Sequence, residues 1–207
     1  MRLICISDTH GLHDRIEGIP DGDVLVHAGD ITNFGELDQV QSFNAWLGQL
    51  PHAHKLVIAG NHDFCFEKQA DVSEALLTNA SYLRDSAIEI DGLHFYGSPW
   101  QPWFYNWAFN LRRGPDIHAK WDLIPKNTDV LITHGPPANH GDRTASHENV
   151  GCKDLLEVID TLNLRLHVFG HIHEGYGTTE ANGTRFVNAS TCTLAYQPIN
   201  PAIVIDL

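Results

Sequence analysis

The sequence predicts an α/β fold, because short apolar runs alternate along the chain with stretches of helical periodicity. Five of the apolar runs have only three to five residues, a length that suits strands buried on both faces of a parallel sheet. These five runs are Leu3–Ser7, Val24–Ala28, Leu56–Ala59, Val130–Thr133 and His167–Phe169. Further strands are predicted at Leu93–Gly97, Thr184–Asn188 and Ala202–Asp206. The strand-rich second half indicates more than one sheet.

Four helices are predicted from the spacing of apolar residues. Glu36–Leu50 is the longest, with Leu37, Val40 and Leu47 on one face and Pro51 directly after it as a stop signal. The other three are Ser73–Leu77, Asp116–Leu123 and Cys152–Asn163.

One aromatic segment, Trp100–Phe109, has neither helical nor strand periodicity. It is either a loop packed over a sheet face or a wall of a substrate crevice, where an aromatic face could stack on a base.

Length and charge limit the class of protein. A chain of 207 residues suits one domain, which we expect to span residues 1–207. The formal net charge of −13 argues against polymeric nucleic acid or an anionic membrane as the main partner. No apolar run approaches the ~20 residues of a membrane span, and the N-terminus lacks the features of a signal peptide. The N-terminus therefore predicts a cytoplasmic protein. The four cysteines form no CxxC pair, so we expect reduced thiols.

Each of the five apolar runs is followed by polar residues that can bind a metal. Because α/β sheets place their chemistry at the carboxyl ends of strands, these side chains could converge on one crevice. Two carboxylates, one amide and four or five imidazoles would make a dinuclear metal site, and the lack of thiolates disfavours structural zinc. The blocks are Asp8 with His10, Gly29-Asp30, Gly60-Asn61-His62-Asp63, His134, and Gly170-His171-Ile172-His173.

This order of ligand blocks resembles the calcineurin-like metallophosphoesterase superfamily across residues 8–173. The resemblance is closer to one branch, the metallophosphoesterase-domain-containing proteins, which are similar to class III cyclic nucleotide phosphodiesterases. The segments that carry it are Phe43–Gly48, Leu56–His62, Pro99–Phe104, Thr133–Pro137, His167–Gly177 and Asn188–Cys192.

The resemblance implies a four-layer α/β/β/α sandwich of two mixed sheets flanked by helices. It also implies a centre with two divalent metal ions, bridged by Asp30. The first ion would be bound by Asp8, His10 and His173, and the second by Asn61, His134 and His171. These side chains suit Mn²⁺, Fe²⁺/Fe³⁺ or Zn²⁺, and the sequence does not choose among them.

The resemblance further implies in-line attack on phosphorus by a metal-bridging hydroxide, with His62 as the acid that protonates the leaving oxygen. An imidazole suits this role because such groups titrate near neutral pH. Asp63 could orient His62 as a neighbouring carboxylate, or it is a solvated turn residue. Two divalent ions, two carboxylates and a hydroxide leave a local charge of about +1, which would attract phosphate within an acidic protein.

Several residues outside these blocks are candidates for contact with the substrate or the ligands. Trp103 and Trp107 could stack on a base, and His140 and Arg143 follow His134 on a predicted loop, where substrate contacts concentrate. A solvated pair is the simpler interpretation of Arg112-Arg113, although it could grip phosphate. His27 and His167 lie within apolar runs and could support the ligands.

Taken together, these features predict a metal-dependent phosphoesterase. The family branch favours a phosphodiesterase that hydrolyses cyclic nucleotides or similar small diesters, so the expected partner is a small phosphoester such as a nucleotide. A broad-specificity phosphomonoesterase or phosphoprotein phosphatase is the alternative. A metal-binding scaffold without activity is a third hypothesis, which the presence of His62 and all seven predicted ligands disfavours.

Overall fold

The computed structural model describes all 207 residues, and they form thirteen strands and five α-helices. The strands are β1 (Arg2–Ile6), β2 (Val24–His27), β3 (His54–Val57), β4 (Ser81–Tyr82), β5 (Ser86–Ile90), β6 (Leu93–Ser98), β7 (Gln101–Pro102), β8 (Asn110–Leu111), β9 (Val130–Thr133), β10 (Leu166–Phe169), β11 (Gly177–Ala181), β12 (Thr184–Asn188) and β13 (Ile203–Asp206). The helices are α1 (Leu37–Leu47), α2 (Phe64–Lys68), α3 (Ala70–Leu76), α4 (Pro115–Trp121) and α5 (Lys153–Ile159).

The strands form two large mixed sheets. The first has the order β13-β1-β2-β3-β4, and its edge strand β13 runs antiparallel to β1 while the other pairs are parallel. The second has the order β11-β12-β10-β9-β6-β5, with parallel pairing in the centre and antiparallel strands at both edges. The short strands β7 and β8 pair separately, at the two ends of the aromatic segment.

The two sheets pack face to face, because alternate residues of their strands are apolar on both sides. A cluster of 17 buried residues lies between the sheets and includes Cys5, Val26, Ile132 and Val168. Two further clusters join the outer face of the first sheet to α1 and α2, and the outer face of the second sheet to α4 and α5. This is the predicted arrangement of two mixed sheets flanked by helices.

All five apolar runs are strands, and their order in the sheets explains how they meet. The first three runs form β1, β2 and β3, which are neighbours in the first sheet, and the other two form β9 and β10, which are neighbours in the second. Local sequence patterns do not reveal which strands belong to which sheet, because the strands of both groups consist of similar buried apolar residues. The loops that bear the predicted ligands therefore come from two different sheets.

The predicted helices are present, but their ends differ from the expectation. The first helix ends at Leu47, before Gly48. The segment predicted as Ser73–Leu77 overlaps α3, which begins earlier, at Ala70, and ends at Leu76. Helix α2 lies outside the predicted helices, because a helix of five residues is too short to have a clear apolar period. None of the helices is long and apolar enough to span a membrane.

We expect substitution of Phe43 to test the packing of α1 on the first sheet. Phe43 is fully buried against His27 and Trp46, so Phe43→Ala should lower the free energy of unfolding by about 3–5 kcal/mol in chemical denaturation. Val72→Ala is the control, because Val72 is 49% exposed on α3 and should change stability by less than about 0.5 kcal/mol. Equal effects of the two substitutions would contradict this packing.

Candidate metal centre and active site

Five loops from the two sheets bring carboxylates and imidazoles to one place. Three overlapping groups have their ligand atoms within 4.8 Å of one another. They are Asp8 with His10 and His173, His10 with Asp30 and His62, and Asp8 with Asp30 and His134. Because the groups share members, they describe one continuous centre, with Asp30 in contact with the ligands of both sheets.

Asp30 lies between two sets of side chains. Its Oδ2 is 3.8 Å from His10 Nε2 on one side and 3.4 Å from His134 Nε2 on the other. On the first side, His173 Nε2 lies 3.3 Å from His10 Nε2 and 3.5 Å from Asp8 Oδ1.

The second set is formed by His134, Asn61 and His171. His134 Nε2 is 2.8 Å from Asn61 Oδ1, and the rings of His134 and His171 lie with their centroids 5.1 Å apart. The structure therefore brings together all seven predicted ligands.

The hydrogen bonds behind the ligands fix which ring nitrogen faces the centre. His173 Nδ1 donates to the carbonyl of Thr193 at 3.0 Å, and His134 Nδ1 donates to the carbonyl of Ala28 at 3.0 Å. In the neutral rings, each Nε2 then carries a lone pair that points at carboxylate, amide or imidazole acceptors. Buried acceptors that face one another are unfavourable unless a cation lies between them, so this donor set fits divalent metal ions.

Electrostatics in the buried centre also favour added positive charge. Burial by itself would lower the pKa of His134, but the charge and hydrogen bond of Asp30 raise it to about 9. Burial likewise opposes ionisation of Asp8, yet the neighbouring His173 holds the Asp8 pKa well below its ordinary range. The pKa of His171 is instead lowered to about 3, by burial and by the charge of His134. The centre thus keeps its carboxylates ionised and attracts positive charge, which a proton on His134 or a metal cation can supply.

Four of the predicted ligands have strained backbones. The φ angles of Asp8, His10, Asp30 and His171 are +53°, +45°, +57° and +70°, in the left-handed region that residues with a Cβ rarely adopt. Such strain costs roughly 1–3 kcal/mol per residue and persists only where the surrounding structure enforces it. Here the strand ends hold it in place, since His10 N donates to Asp30 O and Asp8 N donates to Gly29 O.

The glycines before the ligands allow the loops to approach closely. A Cβ on Gly60 would overlap the Asp30 carboxylate, and a Cβ on Gly170 would overlap the Asp8 carboxylate and the Ser7 hydroxyl. Neither residue has a positive φ, so close approach to a neighbouring ligand, rather than a sharp turn, explains why glycine is needed at both positions.

Comparison with known proteins decides the family to which this centre belongs. Residues 1–175 match the sequence profile described as Calcineurin-like phosphoesterase. The chain belongs to this family. Calcineurin-like phosphoesterases use a dinuclear divalent metal centre, and the converging Asp and His residues could hold such ions. The family implies a hydrolase that acts on phosphoric esters.

Relatives cover the whole chain. It is 48% identical to human metallophosphoesterase domain-containing protein 1 over all of its own length and 71% of that protein. A UPF0046 protein of Caenorhabditis elegans, C25E10.12, is 42% identical to the chain, which spans 81% of the length of that protein.

Solved structures of low sequence identity share the fold. The crystal structure of TT1561 of Thermus thermophilus has a TM-score of 0.60 at 15% identity. The match includes 90% of this chain and 88% of TT1561. A structure described as a novel archaeal phosphodiesterase has a TM-score of 0.55 at 18% identity. The match includes all of this chain and 93% of that protein. At these identities the likeness concerns the fold alone.

In this calcineurin-like phosphoesterase, His62 lies beside the ligands, with one nitrogen held away from them. Its Nδ1 donates to the carbonyl of Asn33 at 2.6 Å, and its Nε2 lies 4.0 Å from Asp30 Oδ2. The carbonyl accepts a hydrogen bond from the Nδ1–H group and so fixes the orientation of the ring. His62 Nε2 is therefore free to carry a proton toward a molecule bound at the centre.

The surroundings of Asp63 differ from both predicted environments. Its carboxylate makes no hydrogen bond to the His62 ring, which is held by Asn33 instead, and it is fully buried, so neither the orienting carboxylate nor the solvated turn residue describes it. Its carboxylate accepts hydrogen bonds from the backbone N–H groups of Ile31, Thr32 and Gly60 and from the Thr32 hydroxyl. Asp63 thus ties the loop after β2 to the loop after β3. Burial and the nearby charge of Asp30 raise its pKa to about 6, against these hydrogen bonds.

The aromatic segment packs on the fold at its ends and reaches the candidate centre in its middle. Phe109 is buried and meets Trp100 edge to face, so the ends of the segment pack on the fold. The middle reaches the centre, because the Trp107 ring lies 4.1 Å from the His62 ring and the Ala108 N–H donates to the carbonyl of Asn61. Trp103 is 58% exposed and lines a cavity beside His171.

Two predicted substrate contacts lie elsewhere. The His140 ring stacks on Phe186 at 3.7 Å and bonds to Thr179 Oγ1, so it packs against the second sheet and lines a separate cavity next to α5. Arg143 is exposed, and the cavity beside His171 is lined by its neighbour Thr144 instead. The structure thus places His140 against the second sheet and Arg143 in solvent, positions that spacing from His134 does not reveal.

The other candidate residues have structural partners. His27 is fully buried and links Thr9 Oγ1 to Gly29 N, between the first two ligand loops, and His167 bonds to Thr133 Oγ1. Arg112 and Arg113 are both exposed, and the Arg113 guanidinium also donates to the carbonyls of Val150 and Gly151.

Tyr196 is a residue of the centre that the sequence does not predict. Its ring lies 4.7 Å from the His10 ring and 5.5 Å from the His173 ring, and its φ of +55° is strained. The turn that bears it also supplies Thr193, whose carbonyl orients His173. The family resemblance over Asn188–Cys192 is the only nearby signal, and it ends before this turn.

We expect Gly170→Ala to disturb the centre without unfolding the protein. The added methyl group must displace the Asp8 carboxylate, so metal affinity should fall by about 10- to 100-fold, as for lost support of a ligand. Metal content after dialysis against a graded chelator measures the loss. Gly135→Ala is the control, because its Cβ would meet only Gln101 at an ordinary 3.7 Å. Full metal binding by Gly170→Ala would contradict the close approach of Gly170 to Asp8.

Proposed function

We propose that this protein is a dinuclear metal-dependent phosphodiesterase. The observation that carries the proposal is the convergence of seven ligand side chains beside an imidazole whose Nε2 faces them. We assign the first ion to Asp8, His10 and His173, the second to Asn61, His134 and His171, and the bridging position to Asp30. The distances on the two sides of Asp30 support this division.

The residues of the chain divide the hydrolytic work. When bound, the two metal ions supply polarisation of phosphoryl oxygens and a hydroxide nucleophile. A new bond forms between phosphorus and the oxygen that comes from water, and the bond from phosphorus to the leaving oxygen breaks. His62 Nε2 gives its proton to that leaving oxygen, while the carbonyl of Asn33 holds the ring in place.

Two features favour a small organic phosphoester as substrate. The chain has a net charge of −13, so attraction of an anionic ester must come from the metal centre itself. Beside His62, the rings of Phe34 and Trp107 are stacked 6.2 Å apart and offer an aromatic face to a leaving group. We therefore propose cyclic nucleotides or similar small diesters, with a phosphomonoester or phosphoprotein substrate as the alternative.

The proposal also includes the extent of the domain, the identity of the metal ions and the location of the protein. The shared core between the two sheets supports one metallophosphoesterase domain over residues 1–207. The ligand types suit Mn²⁺, Fe²⁺/Fe³⁺ or Zn²⁺. The four cysteines are unpaired and buried, which supports a location in the reducing cytosol.

The role of His62 predicts a loss of turnover that depends on the leaving group. His62→Ala should keep both metal ions, yet lose about 10²-fold or more in kcat on esters with poor leaving groups. The loss should be smaller for 4-nitrophenolate esters, whose leaving oxygen needs little protonation. His54→Ala is the matched control, since His54 lies exposed at the opposite end of β3. Unchanged turnover of a poor leaving group by His62→Ala would exclude the acid role.

The substrate class is tested by a panel of esters with Mn²⁺ in excess. It consists of 2′,3′- and 3′,5′-cyclic nucleotides, bis(4-nitrophenyl) phosphate and 4-nitrophenyl phosphate. We expect higher kcat/KM for the diesters, and we expect Trp107→Ala to raise KM for nucleotides about five-fold or more through lost stacking. A preference for the monoester would favour the phosphatase alternative. Failure of the metal-loaded protein to hydrolyse any ester would favour a scaffold.

A further inference from the structure

A cavity of about 380 Å³ opens directly beside the metal centre. Its walls come from the aromatic segment, from the loops after β9 and β10, and from Arg113 in the turn between β8 and α4. The residues that define its chemistry are Trp103, Phe104, Arg113, Val150, His171 and Glu174. The volume lies within the range of small-molecule sites, which are roughly 300–1,000 Å³.

The cavity lies on one side of the centre only. His171, a proposed ligand of the second ion, forms part of its wall, whereas His62 and Trp107 do not line it. His62 instead contacts Trp107, so the acid and the cavity occupy different flanks of the centre. A group that His62 protonates leaves on its own flank, and a group in the cavity is therefore one that stays attached to phosphorus.

The chemistry of the walls indicates what such a group would be. Trp103 and Phe104 offer aromatic faces, and Val150 adds an aliphatic surface. The two charged residues have opposite signs: the Arg113 guanidinium is held by backbone carbonyls, and the Glu174 carboxylate accepts a hydrogen bond from Ala145 N at 2.7 Å. Aromatic walls with balanced charge suit an uncharged aromatic group and oppose a second phosphate.

We propose that this cavity binds the retained ester group of an acyclic phosphodiester, whose two ester groups are separate, and that the group is uncharged, aromatic and up to nucleoside size. The inference rests on the proposed function, whose phosphodiester preference it explains. A monoester has no retained organic group, so it leaves the cavity unused. A diester gains binding there, which gives diester over monoester selectivity a physical origin.

Two substrates with the same leaving group test the proposal. Bis(4-nitrophenyl) phosphate and 4-nitrophenyl phosphate both release 4-nitrophenolate, and only the diester has a retained ring. Val150→Trp should fill the cavity, and Trp103→Ala should remove its aromatic wall. Each should lower kcat/KM for the diester about ten-fold or more, while the monoester changes less than about two-fold.

Tyr105→Ala is the matched control, because Tyr105 is 74% exposed in the same segment and does not line the cavity. Metal content and thermal midpoint identify a variant that fails to fold, and the exposed Trp103 site provides a second test if Val150→Trp does. Equal losses for both substrates, or no loss in either variant, would overturn the cavity assignment and leave the phosphoesterase function intact.

Binding gives a readout that does not depend on turnover. Phenylphosphonate has its ring joined to phosphorus by a P–C bond that is not hydrolysed, and methylphosphonate lacks the ring. In calorimetric titrations of the metal-loaded protein, phenylphosphonate should bind about ten-fold more tightly, and Val150→Trp should abolish the difference. Equal affinity of the two ligands in the parent protein would also overturn the assignment, even if no ester were hydrolysed.

Discussion

The structure depends on burying a set of acceptors that face one another. Asp30 lies between His10 and His134, and the outer nitrogens of His134 and His173 are committed to backbone carbonyls. With those hydrogen bonds made, the inner nitrogens have only acceptors opposite them, and the free energy of this arrangement is favourable only with positive charge in the middle. The raised pKa of His134 and the choice of ligand types both follow from that single requirement.

The surrounding fold offsets the unfavourable free energy of this arrangement. Strained backbones at Asp8, Asp30 and His171, and glycines too close to their neighbours for a side chain, would not persist in flexible loops. They persist because each loop is a short extension of a buried strand, and the core between the two sheets fixes the strand ends relative to one another. Asp63 adds a second constraint by tying two of these loops together through hydrogen bonds to backbone N–H groups.

Around the centre, the aromatic side chains define two flanks with different surroundings. His62 is accompanied by Trp107 and Phe34 on one flank, and His171 opens onto the cavity of Trp103 on the other. This asymmetry gives a molecule bound at the centre a different environment on each flank. Tyr196, on a turn that also orients His173, closes the side of His10 and adds a third aromatic surface to the mouth of the site.

Local sequence patterns are enough to predict the α/β class and the strands that bear the candidate ligands, because buried strands leave signals that do not depend on the rest of the chain. The assignment of seven residues as ligands comes from the family resemblance of the blocks after those strands, and it stays a prediction. Tertiary structure alone decides that these strands belong to two sheets, that Asp63 ties two loops rather than orienting His62, and that His140 packs on Phe186. It also decides that Asn33, Thr193 and Tyr196 reach the centre. Their positions depend on how loops fold back over the sheets, and spacing along the chain carries no record of contacts between residues so far apart.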